Sequence, residues 1–390
     1  MAGIEIIPAR CGDRSCPNHH PRKLEPGIFW QDLLMEECVH SSKGLSSWKA
    51  TRYRVGRVGK GVILFGLGVG ILLAGWAIMI KMPGNSYQGP MPPATDELRA
   101  MEQELQAHVY TLGGEIGERN VFHYDKLLIS AKYIRAEFRK LGYKVNHQAY
   151  EVFGKICENI EVEVRGTDRA DEILVIGAHY DSVQGSPGAN DNGTGVAALL
   201  VLARAFAQTP MSRTMKFVAF VNEEPPFFQT QDMGSWVYAK RSRRQGENII
   251  LMLSLETIGY YTHEPQSQHY PPPLSLIYPS TGNFLAFVSN IGNGSWVRKA
   301  IGIFREHASF PSEGAALWGG MPGVGWSDHW AFWEEGYPAI MVTDTAPYRD
   351  PYYHTAHDTP DHIDYESLAR VVSGLHRAIA DIANEPKMGN

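Results

Sequence analysis

The sequence predicts an α/β fold: a three-layer sandwich around a central, mostly parallel mixed sheet, preceded by one transmembrane helix. Two observations carry this. From residue 95 onward, short runs rich in β-branched residues alternate with amphipathic helical stretches, the pattern of helices packed on both faces of a sheet. Before that, residues 61–80, "GVILFGLGVGILLAGWAIMI", hold no charge and as a helix would cross a hydrocarbon core of about 30 Å. The chain has 390 residues and 44% apolar content, enough for a large core.

Taken in order, residues 1–60 show no sustained hydrophobic period and read as a cytoplasmic tail. Cys11, Cys16, His19 and His20 lie there, but the histidines are adjacent where a zinc finger spaces them by three to five residues. The apolar run is too long and too late for a cleaved signal peptide, so 61–81 reads as an anchor. Six Lys and Arg between Lys43 and Lys60 precede it and Lys81 alone follows closely. The positive-inside rule therefore puts the N-terminus in the cytoplasm and the C-terminal part outside. Residues 82–94, rich in Pro and Gly, read as a linker, and 95–390 as the main folded domain.

Within that domain "TDELRAMEQELQAHVYTL" and "YDKLLISAKYIRAEFRKLGY" read as amphipathic helices, the first opened by Thr95. The strands expected next are "KVNHQAYEVF", "NIEVEVRG" and "EILVIGAHY". After them come a helix over 194–207, the strand "MKFVAFVNE", a helix near 235–244 and the strand "IILMLSLETIG". "SLIYP" and "AIMVTD" read as further strands, and "IDYESLARVVSGLHRAIADIA" closes the chain as a helix. Cys157 stands alone in this domain, which excludes dependence on an internal disulfide. A net charge of −6, without a basic block interleaved with aromatics, excludes a nucleic-acid surface.

In open α/β sheets ligands bind beyond the carboxyl ends of the strands, and here those ends carry acids and histidines. "ILVIGA" is followed by His179 and Asp181, which share one strand face, an arrangement suited to a metal ligand and a carboxylate that orients it. Asp191 stands in "GANDNGTG" at the start of the next helix; taken alone it reads as an N-cap. "MKFVAFVN" ends in Glu223 and Glu224, and the following Pro225-Pro226 forces the bend that lets both acids converge. "IILMLSLETIG" delivers Glu256, and "YRDPYYHTAHDTPDHID" offers His354, His357 and His362, of which His354 ranks first. About five oxygen and nitrogen donors without cysteine suit zinc better than calcium, and one acid is left over for a general base.

With "AHYDS", "GANDNGTG", "NEE", "SDH" and "YHTAHDTPDHID" in this order, the chain from about Thr95 to Ala383 resembles the di-zinc aminopeptidases of peptidase family 28, a zinc-peptidase-like fold. "GERNVFHYD" also looks like these enzymes' lead-in. The resemblance implies two zinc ions, with His179, Asp191 and Glu256 on one, Asp191, Glu224 and His354 on the other, and Asp191 bridging. It implies Glu223 as the base, Tyr353 as donor to the oxyanion, and Asp181 and Asp328 as supports of the ligands. Family members often have Asp where Glu256 stands, and a Pro/Phe segment, "PPFFQTQDMGS", replaces the Gly-rich continuation many relatives show after the paired acids. The expected function is a membrane-anchored aminopeptidase acting on peptides. The alternatives are a single-zinc acyltransferase resembling glutaminyl cyclases and, below it, a non-catalytic ectodomain.

Overall fold

The computed structural model describes residues 57–386. The expected cytoplasmic tail, with Cys11, Cys16 and Cys38, lies outside the described residues except at its last four positions. There the first helix, α1 (Arg57–Met79), begins; its 23 residues correspond to about 34 Å of helix. Leu64, Phe65, Ile71 and Leu73 of this helix are exposed, while Met79 at its end is half-buried. Among the described residues no helix is long and apolar enough to cross a membrane; the side chains of residues 57–63 and of Leu72 lie outside that description.

The catalytic-domain elements follow as α2 (Asp96–Val109), α3 (Tyr124–Lys140), β1 (Asn146–Val152), β2 (Lys155–Val164), β3 (Arg169–His179) and α4 (Gly195–Phe206). Next are β4 (Arg213–Phe220), α5 (Gly234–Gln245), β5 (Asn248–Glu256), β6 (Leu285–Asn290), α6 (Gly294–His307) and β7 (Ser312–Leu317). The chain closes with α7 (His329–Glu334), β8 (Ala339–Thr343) and α8 (Tyr365–Asn384). Thr95 starts α2 by accepting the Leu98 N–H on its hydroxyl at 3.2 Å, and Asp364 caps α8 through Ser367 N–H at 3.0 Å.

The eight strands form one sheet in the order β1-β2-β4-β3-β5-β8-β6-β7. β4, β3, β5 and β8 run parallel at its centre, β6 pairs parallel with β7, and the β1–β2, β2–β4 and β6–β8 pairs are antiparallel. Period-two alternation builds the two outer layers. Leu174, Ile176 and Ala178 of β3 and Met215, Phe217 and Ala219 of β4 join the core under α2, α3, α4, α6 and α8. Ile173 and Val175, with Val218 and Phe220, face a smaller core under α5 and α7. Strands buried on both faces need continuous apolar sequence, which "ILVIGA" and "MKFVAF" have.

One expected strand is absent. "SLIYP" forms a helical turn, Leu274–Leu276, because Pro271, Pro272 and Pro273 precede it and Leu276 is left in solvent; a short apolar run does not by itself separate strand from helix. Strands β6 and β7, which the sequence reading did not mark, take the place beside β8. Residues 82–94 contain no helix or strand and run along the domain. Arg305 donates to Pro83 O at 3.0 Å and Arg370 to Pro92 O at 2.6 Å.

Candidate metal centre

Three parallel strands end at one place. His179 is the last residue of β3 and Glu256 the last of β5, while β4 stops at Phe220 and bends to bring round Glu223 and Glu224. Asn222 (φ 59°) and Thr257 (φ 42°) adopt left-handed backbone just beside these acids, as does His354 itself (φ 59°), a conformation rare for non-glycine and strained for a β-branched residue. The bend after β4 is held by Asp181, whose two oxygens accept the Glu223 and Glu224 N–H groups, each at 3.1 Å.

The donors converge in three overlapping groups, two sharing Asp191 and a third of His179, Glu223 and Glu224. His179 Nε2 lies 3.3 Å from Asp191 Oδ1 and 3.3 Å from Glu256 Oε2. His354 Nε2 lies 3.0 Å from Asp191 Oδ2 and 3.5 Å from Glu224 Oε2. Glu223 Oε2 stands 3.9 Å from His179 Nε2. Donors bound at about 2.0–2.1 Å to a tetrahedral ion lie roughly 3.3 Å from each other, so both sets that share Asp191 are already at the spacing of zinc ligands. His179 Nε2, Asp191 Oδ1 and Glu224 Oε1 are buried without a hydrogen-bond partner, an arrangement that costs stability until a cation meets them. Two imidazoles with four carboxyl groups and no thiolate suit zinc better than calcium.

Electrostatics within the cluster follow from this crowding. Burial pushes His179 down, but Glu256 and Glu223 outweigh it and raise its pKa well above the ordinary value. His354 is likewise raised, to about 10, by Asp191 and Glu224 against its burial. Burial pushes Asp191 up, yet the two imidazoles beside it hold it well below the usual carboxylate range. Burial and then Asp191 raise Glu224 to about 8. Glu223 is raised well above a normal carboxyl, first by burial and then by Glu256, Glu224 and Asp328, with His179 opposing.

Asp181, Asp328 and Tyr353, also singled out in the sequence, are buried or stacked beside these donors. Asp181 Oδ1 is 3.6 Å from His179 Nδ1. Asp328 is fully buried, raised to about 7 chiefly by burial, with His179 and the Ser235 hydroxyl opposing. Tyr353 stacks on the His354 ring with centroids 3.9 Å apart and lines a cavity of ≈ 770 Å³, open mouth included, that Glu256 also borders. Burial, then Asp191 and the glutamates, raise its phenol well above 10, so it stays a donor. His357 and His362 are not among the grouped donors; His362 stacks on Tyr352.

Several supports were not assigned from sequence. Asp358 accepts the backbone N–H of Asn190 at 2.7 Å and of Asp191 at 3.1 Å. Asn190 donates to Asp344 and Asp350, and Asn192 donates to Leu255 O at 2.8 Å while accepting from Thr257 N. Ser327 donates to Glu256 Oε2 at 2.6 Å. The buried Arg119 donates to the carbonyls of Tyr180, Pro187 and Gly188 at 2.7–2.8 Å and fixes the loop between β3 and α4. Gly188 in that loop has φ +64°, and a Cβ there would sit 2.6 Å from Asp191 O. The visible signals were the Asn-Asp-Asn run, "SDH" and the Arg in "GERNVFHYD".

A mixed α/β sheet whose strand ends assemble two imidazole-carboxylate donor sets beside a spare acid defines a metal-dependent hydrolase. Comparison narrows the class: the sequence model of a family described as Peptidase family M28 matches residues 159–379. The chain belongs to that family; it is a zinc metallopeptidase, and the donor sets are compatible with binding the metal. It is 37% identical over 285 residues to "Uncharacterized protein YfbL" of Escherichia coli, across 71% of this chain and 87% of that one. It is 26% identical over 219 residues to "Aminopeptidase YwaD" of Bacillus subtilis, across 55% of this chain and 42% of that one. Among solved structures it superposes on BSAP, a zinc aminopeptidase from Bacillus subtilis, with a TM-score of 0.59 at 17% identity, over 74% of this chain and 96% of that one. A glutaminyl cyclase from Bacteroides thetaiotaomicron gives 0.56 at 17% identity, over 73% and 98%. These low-identity superpositions speak for the fold.

Proposed function

We propose that the chain is a membrane-anchored aminopeptidase that hydrolyses peptide bonds at a di-zinc centre. The observation that carries this is the division of Asp191: one oxygen faces His179 and the other faces His354, the position of a bridging carboxylate. His179, Asp191 and Glu256 would hold one ion, and Asp191, Glu224 and His354 the other. Zinc, when bound, supplies the charge that makes a water acidic near neutrality and polarises a carbonyl.

The protein's own groups do the rest. Glu223 takes a proton from the attacking water and returns it to the leaving amine. Tyr353 donates its phenolic hydrogen to the oxygen that becomes negative as the carbonyl carbon turns tetrahedral. Asp181 keeps Glu223 and Glu224 in place through their backbone amides. The cavity beside Glu256 and Tyr353 receives the side chain of the first substrate residue, and the buried acids around it favour a free amino group. The donor set for two ions favours this reading over a single-zinc cyclase.

The anchor rests on the uncharged run at 61–80 and the basic residues before it; the peptidase domain would lie on the extracytoplasmic side. Full-length protein loaded with zinc should release the first residue from peptides with a free N-terminus and leave acetylated peptides intact. Cleavage of blocked peptides only, or cyclisation of N-terminal Gln with one zinc bound, would overturn the assignment. Retention in the membrane pellet after alkaline carbonate extraction tests the anchor.

A further inference from the structure

Strand register defines the floor of the cavity beside the metal centre. Thr343 of β8, Ala286 of β6 and Glu313 of β7 all line it, together with the residues two positions away, Met341, Val288 and Ala315; this is one face of the sheet. Pairing sets Glu256 opposite Thr343, Thr343 opposite Ala286, and Ala286 opposite Glu313. A single row across four strands therefore carries an acid at each end. Three strand spacings separate them, about 14 Å. The inner acid is a metal donor, whereas the outer one belongs to no donor group.

Glu313 is enclosed, with 22% of its side chain exposed. Among the residues lining the cavity only Glu256 and Glu313 are charged, and no Lys, Arg or His faces it. The nearby cation, Arg305, keeps its Nη2 3.9 Å from Glu313 Oε2, outside hydrogen-bond range. Its N–H groups go instead to the Ser312 hydroxyl at 3.1 Å, to Ser312 O at 2.5 Å and to Pro83 O at 3.0 Å. Tyr270 and Tyr278, also in the wall, donate their hydroxyls to Pro279 O and Gly314 O. Burial leaves the Glu313 carboxyl raised above its ordinary range, with Arg305 and a hydrogen bond from the Ser86 side chain opposing. A carboxylate has about four acceptor positions, so beyond the Ser86 side chain Glu313 can still accept from an incoming donor at the far end of this apolar channel.

We propose that Glu313 selects a cationic side chain, lysine or arginine, on the first residue of the substrate. The proposal deepens the aminopeptidase reading and rests on it. With the amino terminus at the Glu256 end, the methylene stem of Lys or Arg crosses the apolar middle of the row over Thr343 and Ala286, and its head meets Glu313. Leu or Met fills the same channel but offers the carboxylate no further donor, and a site built around a polar partner discriminates against ligands that lack it.

The test compares zinc-loaded full-length protein with its Glu313→Gln and Glu313→Leu variants on Arg-, Lys-, Leu- and Met-initiated peptides. A parallel calorimetric titration uses free L-arginine and L-norleucine. Wild type should favour Arg and Lys in kcat/KM, and both variants should lose that preference about 10- to 100-fold. Their rates on Leu and Met should be held or raised, and arginine binding should weaken while norleucine binding stays. Equal selectivity in wild type and in whichever variant melts like wild type would overturn the role of Glu313. Failure of the aminopeptidase reading looks different: no free peptide is cleaved by any variant, and the arginine titration then decides for or against Glu313 without turnover.

Discussion

Asp181 and Glu223 are joined through the backbone: Asp181 Oδ1 accepts the Glu223 N–H at 3.1 Å, and Oδ2 accepts the next amide, Glu224, at the same distance. One carboxylate thus sets both a metal donor and the proposed base, while also lying 3.6 Å from His179 Nδ1. Asp181→Asn keeps the shape but offers one acceptor where two are used. Zinc affinity or kcat/KM should fall about 10- to 100-fold, read by metal titration and peptide hydrolysis. An unchanged variant would show that the bend after β4 is fixed by other groups.

Glu223 lies 3.9 Å from His179 Nε2 and belongs to neither of the two Asp191-centred donor sets. Glu223→Gln should therefore bind two zinc ions per chain, as wild type does, while kcat falls by at least about 10²-fold. Elemental analysis beside steady-state kinetics checks both halves. A variant that loses a zinc ion instead would place Glu223 among the ligands.

Much of this was legible in the sequence, because the physics that places a donor at a strand end is local. "ILVIGAHYD" and "MKFVAFVNEE" each show a run buried on both faces followed at once by polar residues, and that pattern marks the site without knowledge of the fold. What was hidden depends on partners far away in the chain. Asp358 clamps Asn190 and Asp191 from more than 160 positions away, and nothing in "HDTPD" announces it. Asn190 and Asn192 look like loop residues until their amides meet Asp344, Asp350 and Leu255 O. Strands β6 and β7 escaped because "LAFVSN" and "SEGAAL" are short and weakly alternating. "SLIYP" misled because proline turns and strand ends share a composition.

Removing the metals should cost the domain stability as well as activity. Asp191, Glu223, Glu224 and Glu256 are all buried around two imidazoles, and without cations their mutual repulsion opposes folding. Dialysis against a chelator should lower the melting temperature, and zinc at 100 times its Kd should restore about 2.7 kcal/mol. Melting that is indifferent to zinc would argue against two filled sites.

Arg119 is fully buried, with its pKa lowered to about 10 chiefly by burial. Its guanidinium meets the carbonyls of Tyr180, Pro187 and Gly188, which no other side chain could satisfy together. Arg119→Met should strand those carbonyls and free the loop that carries Asp191, at a cost of about 3–5 kcal/mol. Urea unfolding measures that loss, and Arg119→Lys should recover only part of it. A loss below about 1 kcal/mol would show that the loop stands without its clamp.

His329 gives the pH dependence of stability a definite sign. The ring is fully buried, donates from Nε2 to Val324 O at 2.8 Å and packs edge-on against Trp333. Burial lowers its pKa to about 4, the Val324 carbonyl opposing in part. Since the unfolded residue titrates near 6.5, the unfolded chain binds more protons between those values. The stability due to the neutral ring is therefore fully present above about pH 6.5 and is lost progressively as the pH falls toward about 4. At about 1.4 kcal/mol per pKa unit the loss amounts to roughly 3 kcal/mol. His329→Gln, which keeps a donor for Val324 but has no proton to gain, should be less stable than wild type at pH 7 and fall less steeply below 6.5. Parallel unfolding curves for the two proteins from pH 7 to 4 would place the acid sensitivity elsewhere.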